Sequence, residues 1–246
     1  QYPSFDVTVI DNDSDDPEAL SFLEELHTSG VRIEHSPGVF NYAAMHNKVV
    51  PLLAGPLVCL LNNDIEITDP DWLRIMAAQC QRDEVGAVGA KLLYPDGAIQ
   101  HAGIVTGVGG GAGHAHRMQP ANSEGYFDRA NLPQFISAVT AACLVVRKDR
   151  FEAVGGFDSE NFAVAFNDVD LCLKLNARGW QSFYEPRACL VHHESKSRGL
   201  DKAGPQKARF DGELAALKRI WATDRGNDPY HHPELSQFGE RFVVRL

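Results

Sequence analysis

The chain has 246 residues, 44% hydrophobic and 23% charged, with a formal net charge of -10; this supplies a core for one large domain or two small ones without disulfides or a structural metal. The acidic balance excludes a nucleic-acid binder, which needs a basic face, but leaves room for a small basic pocket around a diphosphate. No apolar run approaches the ~18–20 residues of a membrane span, no secretory leader is recognisable, and five cysteines without a Cys-x-x-Cys pair read as small buried hydrophobes in a reducing compartment, so a cytoplasmic setting is expected.

Residues 5–10 form a β-rich run that enters the acidic turn 11–16. Pro17 opens a helical pattern that Gly30 stops, and residues 31–35 read as a short strand. A helix is expected over 41–53, a fully apolar strand over 57–61, a helix from Asp69-Pro70 to about Gln81 and a strand over 85–92. This alternation predicts an α/β fold with a mixed, mostly parallel sheet and helices on both faces. Residues 103–125 hold seven glycines and no helical period, and read as a long excursion or flexible lid. Strands follow over 138–147, 180–184 and 188–191, helices over 167–178 and 203–223, and the tail from 224 shows no clear element.

Ligands of open α/β sheets bind beyond the carboxyl ends of the strands. Two acidic groups fall at such ends: Asp11 with Asp13, and Asn62-Asn63-Asp64 with Glu66. A carboxylate closing a buried strand suits Mg²⁺ or Mn²⁺ and a substrate phosphate, while Asn and Asp also populate ordinary turns. Asn167 is expected to cap a helix with Asp168 and Asp170 in its first turn. Both could simply offset the helix dipole, but Asp168 at a helix mouth could also act as a general base. His192 and His193 follow an apolar strand as candidate metal ligands; neighbours on a strand point to opposite faces, so one of the two is expected to face a site. Lys196 and Arg198 offer charge for phosphate. The run Gly107-Val108-Gly109-Gly110-Gly111 has loose spacing for a dinucleotide loop, and His114-x-His116 lacks spaced partners for zinc.

Six segments together resemble a family 2 glycosyltransferase of the GT-A fold: residues 5–14, 60–66, 138–143, 154–158, 167–172 and 192–195. The glycine- and histidine-rich insert resembles a bacterial subgroup that builds rhamnose-containing and other cell-surface polysaccharides. The resemblance implies a GT-A domain over residues 1–224 of a longer chain, lacking the family's first strand, with a tail over 225–246. It implies a UDP-, dTDP- or GDP-linked sugar donor, a saccharide or lipid-linked saccharide acceptor, Mn²⁺ or Mg²⁺, and room for peripheral association with the inner membrane face. Asp11 and Asp13 would lie near base and ribose, and Asn62, Asn63 and Asp64 match an Asp-x-Asp motif whose Asp64 meets metal and diphosphate. His192 or His193 would complete the metal shell, with His192 the better match. Ala141 and Ala142 would line the donor pocket with Arg198 nearby, and Asp168 matches the usual catalytic base. Asn62 and Asn167 stand where the motifs carry Asp and Glu.

The implied reaction is sugar transfer with inversion at the anomeric carbon. Two other readings are a non-catalytic sugar-nucleotide or carbohydrate-binding module of the same fold, and a zinc hydrolase using His114, His116, His192 and His193.

Overall fold

The computed structural model describes residues 2–194, 204–226 and 228–245. It opens with a small unit: β1 (Thr8–Asp11), α1 (Pro17–Thr28) and β2 (Arg32–His35), with β1 and β2 paired in parallel. Asp16 starts α1 by accepting a hydrogen bond from the Ala19 amide at 3.1 Å, with Pro17 in the first turn. None of the α1 residues is buried, although its sequence carries an apolar stripe.

The chain continues through α2 (Tyr42–Val49), β3 (Leu57–Leu61), β4 (Ile65–Glu66), α3 (Trp72–Cys80) and β5 (Val85–Leu93). Then come β6 (Ile99–His101), β7 (Ile104–Thr106), β8 (Ala112–His114), β9 (Gln134–Ile136) and β10 (Cys143–Arg147). Last are α4 (Lys148–Ala153), α5 (Asn167–Ala177), β11 (Gln181–His192) and α6 (Gly204–Trp221). The main sheet has the order β3-β10-β5-β11-β4, with β6 beside β5 and β9 beside β11. Two cores flank it. Trp72, Met76 and Cys80 of α3 meet Val88, Ala90 and Leu92 of β5 on one side. Leu171, Cys172 and Leu175 of α5 share the other core with Val58, Leu60, Leu144 and Val146.

The fold class is α/β with a mixed sheet, but the expectation of a mostly parallel one does not hold. Among the described residues of the main sheet only β5 and β11 pair in parallel, while β10 runs antiparallel between β3 and β5. The reason is the route: β10 is reached from β5 through the glycine-rich region rather than a crossover helix, so nothing imposes the β-α-β direction. Because β10 opposes both neighbours, β3, β5 and β11 point the same way and their carboxyl ends share one rim.

Three local expectations also change. Residues 180–191 form one strand, in which a register shift between Glu185 and Cys189 absorbs Pro186. Strand β10 starts only at Cys143, and Thr140 to Ala142 lie outside it, which releases their amides for other partners. The glycine-rich region is no lid. Ala102, Ile104 and Val105 are nearly inaccessible, and β7 and β8 form a hairpin. Gly103 has φ +90°, and a Cβ there would sit 2.3 Å from Ile136 Cδ1, so close packing rather than mobility demands glycine. The tail closes over this hairpin. Asp228 accepts from both the Thr106 amide at 2.6 Å and its hydroxyl at 3.0 Å, and Leu235 and Phe242 are buried with Val105 and Val108. Among the described residues, no helix is long and apolar enough to cross a membrane.

Candidate active site

A cleft of about 2510 Å³ runs from the β1–α1 unit to the carboxyl ends of β3 and β11. It exceeds the ~300–1,000 Å³ typical of a small-ligand pocket. Val7 to Asp11 and Leu57 to Asp64 all line it consecutively. A strand presents every successive residue to a space only when its backbone edge borders that space. Among the described residues, β1 pairs only with β2 and β3 only with β10, so each turns an open edge to the cleft.

At the rim, the tight turn after β3 puts Asp64 beside the end of β11. His192 Nε2 lies 3.0 Å from Asp64 Oδ1, and the His193 amide donates to the Asp64 carbonyl at 2.9 Å. The protonation of His192 follows from its other neighbours. The Glu194 carboxylate only accepts, so Gln100 must turn its amide Nε2 to it, at 3.1 Å. The Gln100 Oε1 atom then faces His192 Nδ1 at 2.9 Å, and that nitrogen must carry the proton. In the neutral ring Nε2 is then the nitrogen without a proton, and it directs its lone pair at a carboxylate oxygen. That oxygen is buried and has no hydrogen-bond partner among the described residues.

Two lone pairs facing each other at 3.0 Å repel unless a proton or a metal cation joins them. Adjacent corners of an octahedron with bonds of about 2.1 Å are about 3.0 Å apart. Asp64 and His192 thus fit a shared Mg²⁺ or Mn²⁺, with Gln100 and Glu194 orienting the imidazole from behind, as supports of metal-bound histidines do. Among the described residues no group of three or more His, Cys, Asp or Glu side chains gathers as a metal cage. Two protein ligands suit an ion that keeps waters and substrate phosphates. Burial works upward on the Glu194 carboxyl, but hydrogen bonds from Gln100 and Tyr94 win and hold its pKa below the usual carboxylate range.

Asp168 lies in the first turn of α5, at the wall of the same cleft. Its Oδ2 accepts from the Ala141 amide at 3.1 Å and its Oδ1 from the Val169 amide at 2.8 Å. Burial raises its pKa above the ordinary value of 3.8, although bonds from Ala141, Thr140 and Val169 oppose the shift. A carboxylate made more basic and aimed from a helix mouth into a cleft is suited to take a proton. The released turn ties the two centres together, since the Asn62 amide donates to the Ala142 carbonyl at 2.9 Å, one residue from the amide that holds Asp168. Ala141 and Ala142 line the cleft, as do Asn62 and Asn63.

Other expected residues fall elsewhere. His193 pairs with Glu66 at 2.9 Å, directed away from the His192 side by strand alternation. Asp11 lines the cleft; its pKa is lowered first by the Ser14 hydroxyl, and it also meets His35 at 3.2 Å. Asp13 does not line the cleft, because its carboxylate accepts from the Gly38 amide at 2.8 Å and braces the 36–38 turn. Arg198, with Lys196, lies outside the described residues. Phe166 (φ +61°) rather than Asn167 occupies the cap of α5; Asn167 is inside the first turn and its Nδ2 donates to the Val164 carbonyl at 2.7 Å. Asp170 is buried against Lys174 at 2.8 Å and the Trp221 indole at 2.9 Å, joining α5 to α6. His116 stacks on Phe242 with ring centroids 4.6 Å apart, so the four histidines of the hydrolase reading do not converge.

Gln100, His101 and Tyr94 join the site without any signal in their local sequence: Gln100 meets His192 across 92 positions of chain. The nearest hint was that β6 directly precedes the glycine-rich region.

Comparison with known proteins gives the family and the fold. The family model described as "Glycosyltransferase like family 2" matches residues 1–210. An uncharacterised protein y4gI of Sinorhizobium fredii is 45% identical over 99% of this chain and 27% of its own length. The O-antigen biosynthesis protein RfbC of Myxococcus xanthus is 40% identical over 96% of this chain and 18% of its own. The chain thus spans about a quarter or less of these relatives. Among solved structures, the mannosyltransferase PcManGT of Pyrobaculum calidifontis, in complex with GDP-Man and Mn²⁺, aligns with a TM-score of 0.57 at 16% identity, covering 87% of this chain and 55% of its own. GalNAc-T7, with UDP, GalNAc and Mn²⁺, aligns with a TM-score of 0.59 at 12% identity, covering 76% and 37%. The fold is therefore GT-A, and the chain belongs to glycosyltransferase family 2.

Proposed function

We propose that the chain is the catalytic domain of an inverting, divalent-metal-dependent glycosyltransferase. It moves a sugar from a nucleotide diphosphate to a hydroxyl of a saccharide or lipid-linked saccharide during cell-surface polysaccharide synthesis. The observation that carries this reading is the pairing of bare acceptor atoms on Asp64 and His192 in the same cleft as a carboxylate of raised pKa, Asp168.

Asp64 and His192 would hold Mn²⁺ or Mg²⁺, which when bound supplies positive charge against the departing diphosphate. Asp168 takes the proton of the attacking hydroxyl as its oxygen bonds to the anomeric carbon. The anomeric carbon–oxygen bond to the diphosphate breaks, and the nucleoside diphosphate leaves with the electron pair. Attack opposite the leaving group inverts the centre. Asp11 faces the nucleoside end, and Asn62, Asn63, Ala141 and Ala142 line the path between. The open edges of β1 and β3 suit one further parallel strand from the longer polypeptide, which would complete the nucleoside wall; the excess volume of the cleft supports this reading.

The test is turnover of UDP-, dTDP- and GDP-linked sugars with Mn²⁺, in wild type and Asp168→Asn. Loss of turnover by about 10²–10⁴-fold with nucleotide affinity retained is expected. Binding without turnover in either protein would instead identify a sugar-nucleotide-binding module.

A further inference from the structure

The buried His101 and the half-buried His114, which the proposed reaction does not use, form a relay with a defined proton order. His101 ends β6 and is fully inaccessible. Its Nε2 receives two backbone amides, from Gly103 at 3.3 Å and from Thr140 at 3.5 Å. A nitrogen that accepts twice carries no proton, so the proton of a neutral His101 is on Nδ1. Nδ1 lies 3.0 Å from His114 Nδ1, with the rings at 79°. Only one of those two nitrogens can donate, and it is His101's. His114 must therefore be protonated on Nε2, which has no hydrogen bond among the described residues. His114 lines the cleft. Its backbone is held in place as well, because its amide donates to Glu240 Oε1 at 2.9 Å.

We propose that His114 is a fixed, neutral hydrogen-bond donor to a sugar hydroxyl in the cleft, and that His101 is the positioning residue that sets its tautomer. The proposal rests on the transferase reading and deepens it. The peptide that fixes His101 belongs to Thr140, and the next amide, that of Ala141, holds Asp168, so relay and base share one turn of backbone. An uncharged N–H suits a hydroxyl oxygen, whereas a diphosphate is better met by cations. Burial first, then neighbouring positive charge, brings the His114 pKa down to about 4, and burial drives His101 well below its usual value, so both rings stay neutral at pH 7.

Long-range ¹H–¹⁵N spectra of the imidazoles test this without turnover. The expected result is Nδ1–H for His101 and Nε2–H for His114 throughout pH 5.5–8. The His114 Nε2 resonance should shift with methyl glycosides if the hydroxyl belongs to the acceptor, or only with nucleotide sugars if it belongs to the donor. His114→Phe should raise KM for that sugar about tenfold, while His114→Gln, which restores an N–H, stays within a few-fold of wild type. A cationic or Nδ1–H His114, no shift with any of these sugars, or an unchanged KM in His114→Phe overturns the proposal. Intact tautomers with no transfer by wild type would instead sink the transferase reading.

Discussion

Helices α1 and α5 carry comparable apolar stripes in sequence, but the structure treats them differently. In α5, Val169, Leu171, Cys172 and Leu175 are buried in the core beside the main sheet. In α1 none is, and Phe22, 58% exposed, joins Leu23 and Leu26 along the cleft. An amphipathic pattern therefore states which face wants cover, not whether cover is present. The side of the site that holds Asp64, His192 and Asp168 is braced by the sheet on both faces. The other side, proposed to take the nucleoside, is a light β-α-β unit whose apolar stripe and strand edge look into open space.

This contrast can be broken or sharpened by mutation. The largest effect is expected at the braced side: Asp168→Asn removes the proposed base and with it most turnover. Its stability should move the other way. Burial raises the folded pKa of Asp168 above the unfolded one, so the folded state binds its proton more readily. Stability is then lost as pH rises through the window between the ordinary carboxylate value and the raised one. At pH 7 the ionised carboxylate costs the fold, and Asp168→Asn should not lower Tm in a thermal melt. For the same reason the acid limb of the wild-type pH–rate profile should lie above the ordinary carboxylate range.

Next in size, Leu171→Ala should destabilise the fold by about 2–5 kcal/mol in urea unfolding, because it opens a cavity under α5. Gln100→Leu should leave the fold intact but weaken Mn²⁺ binding about 10–100-fold by calorimetry, since His192 loses the partner that fixes its tautomer. Smallest of all, Phe22→Ser should change stability by no more than about 0.5 kcal/mol. In a longer polypeptide that fills the slot, hydrogen exchange in β1 and α1 should slow toward that of α5. A cost above 2 kcal/mol for Phe22→Ser in the 246-residue chain would erase the distinction between the two regions.

Much of the braced side was legible in the sequence, because its key groups sit where apolar runs stop: Asp64 just past β3, His192 ending β11 and Asp168 in the first turn of α5. The spacing of those runs specified the α/β alternation. Strand direction was not legible, since β10 follows a connection with no helical period. The glycine-rich region misled for a physical reason. Glycine permits mobility but also close approach, and at Gly103 the second use prevails, under a tail that shows no periodicity of its own. His193 and Asp13 carried the right chemistry at positions where alternation or a turn aims them elsewhere. Gln100 and His101 were invisible because their roles depend on partners far along the chain.

The account stands on the bare Nε2 of His192 facing the bare Oδ1 of Asp64. Pulsed electron paramagnetic resonance of Mn²⁺, bound in the presence of a nucleoside diphosphate, reads this directly. It should detect one coupled imidazole nitrogen in wild type and in His193→Ala, and none in His192→Ala. A coupling that survives His192→Ala, or disappears in His193→Ala, would contradict it.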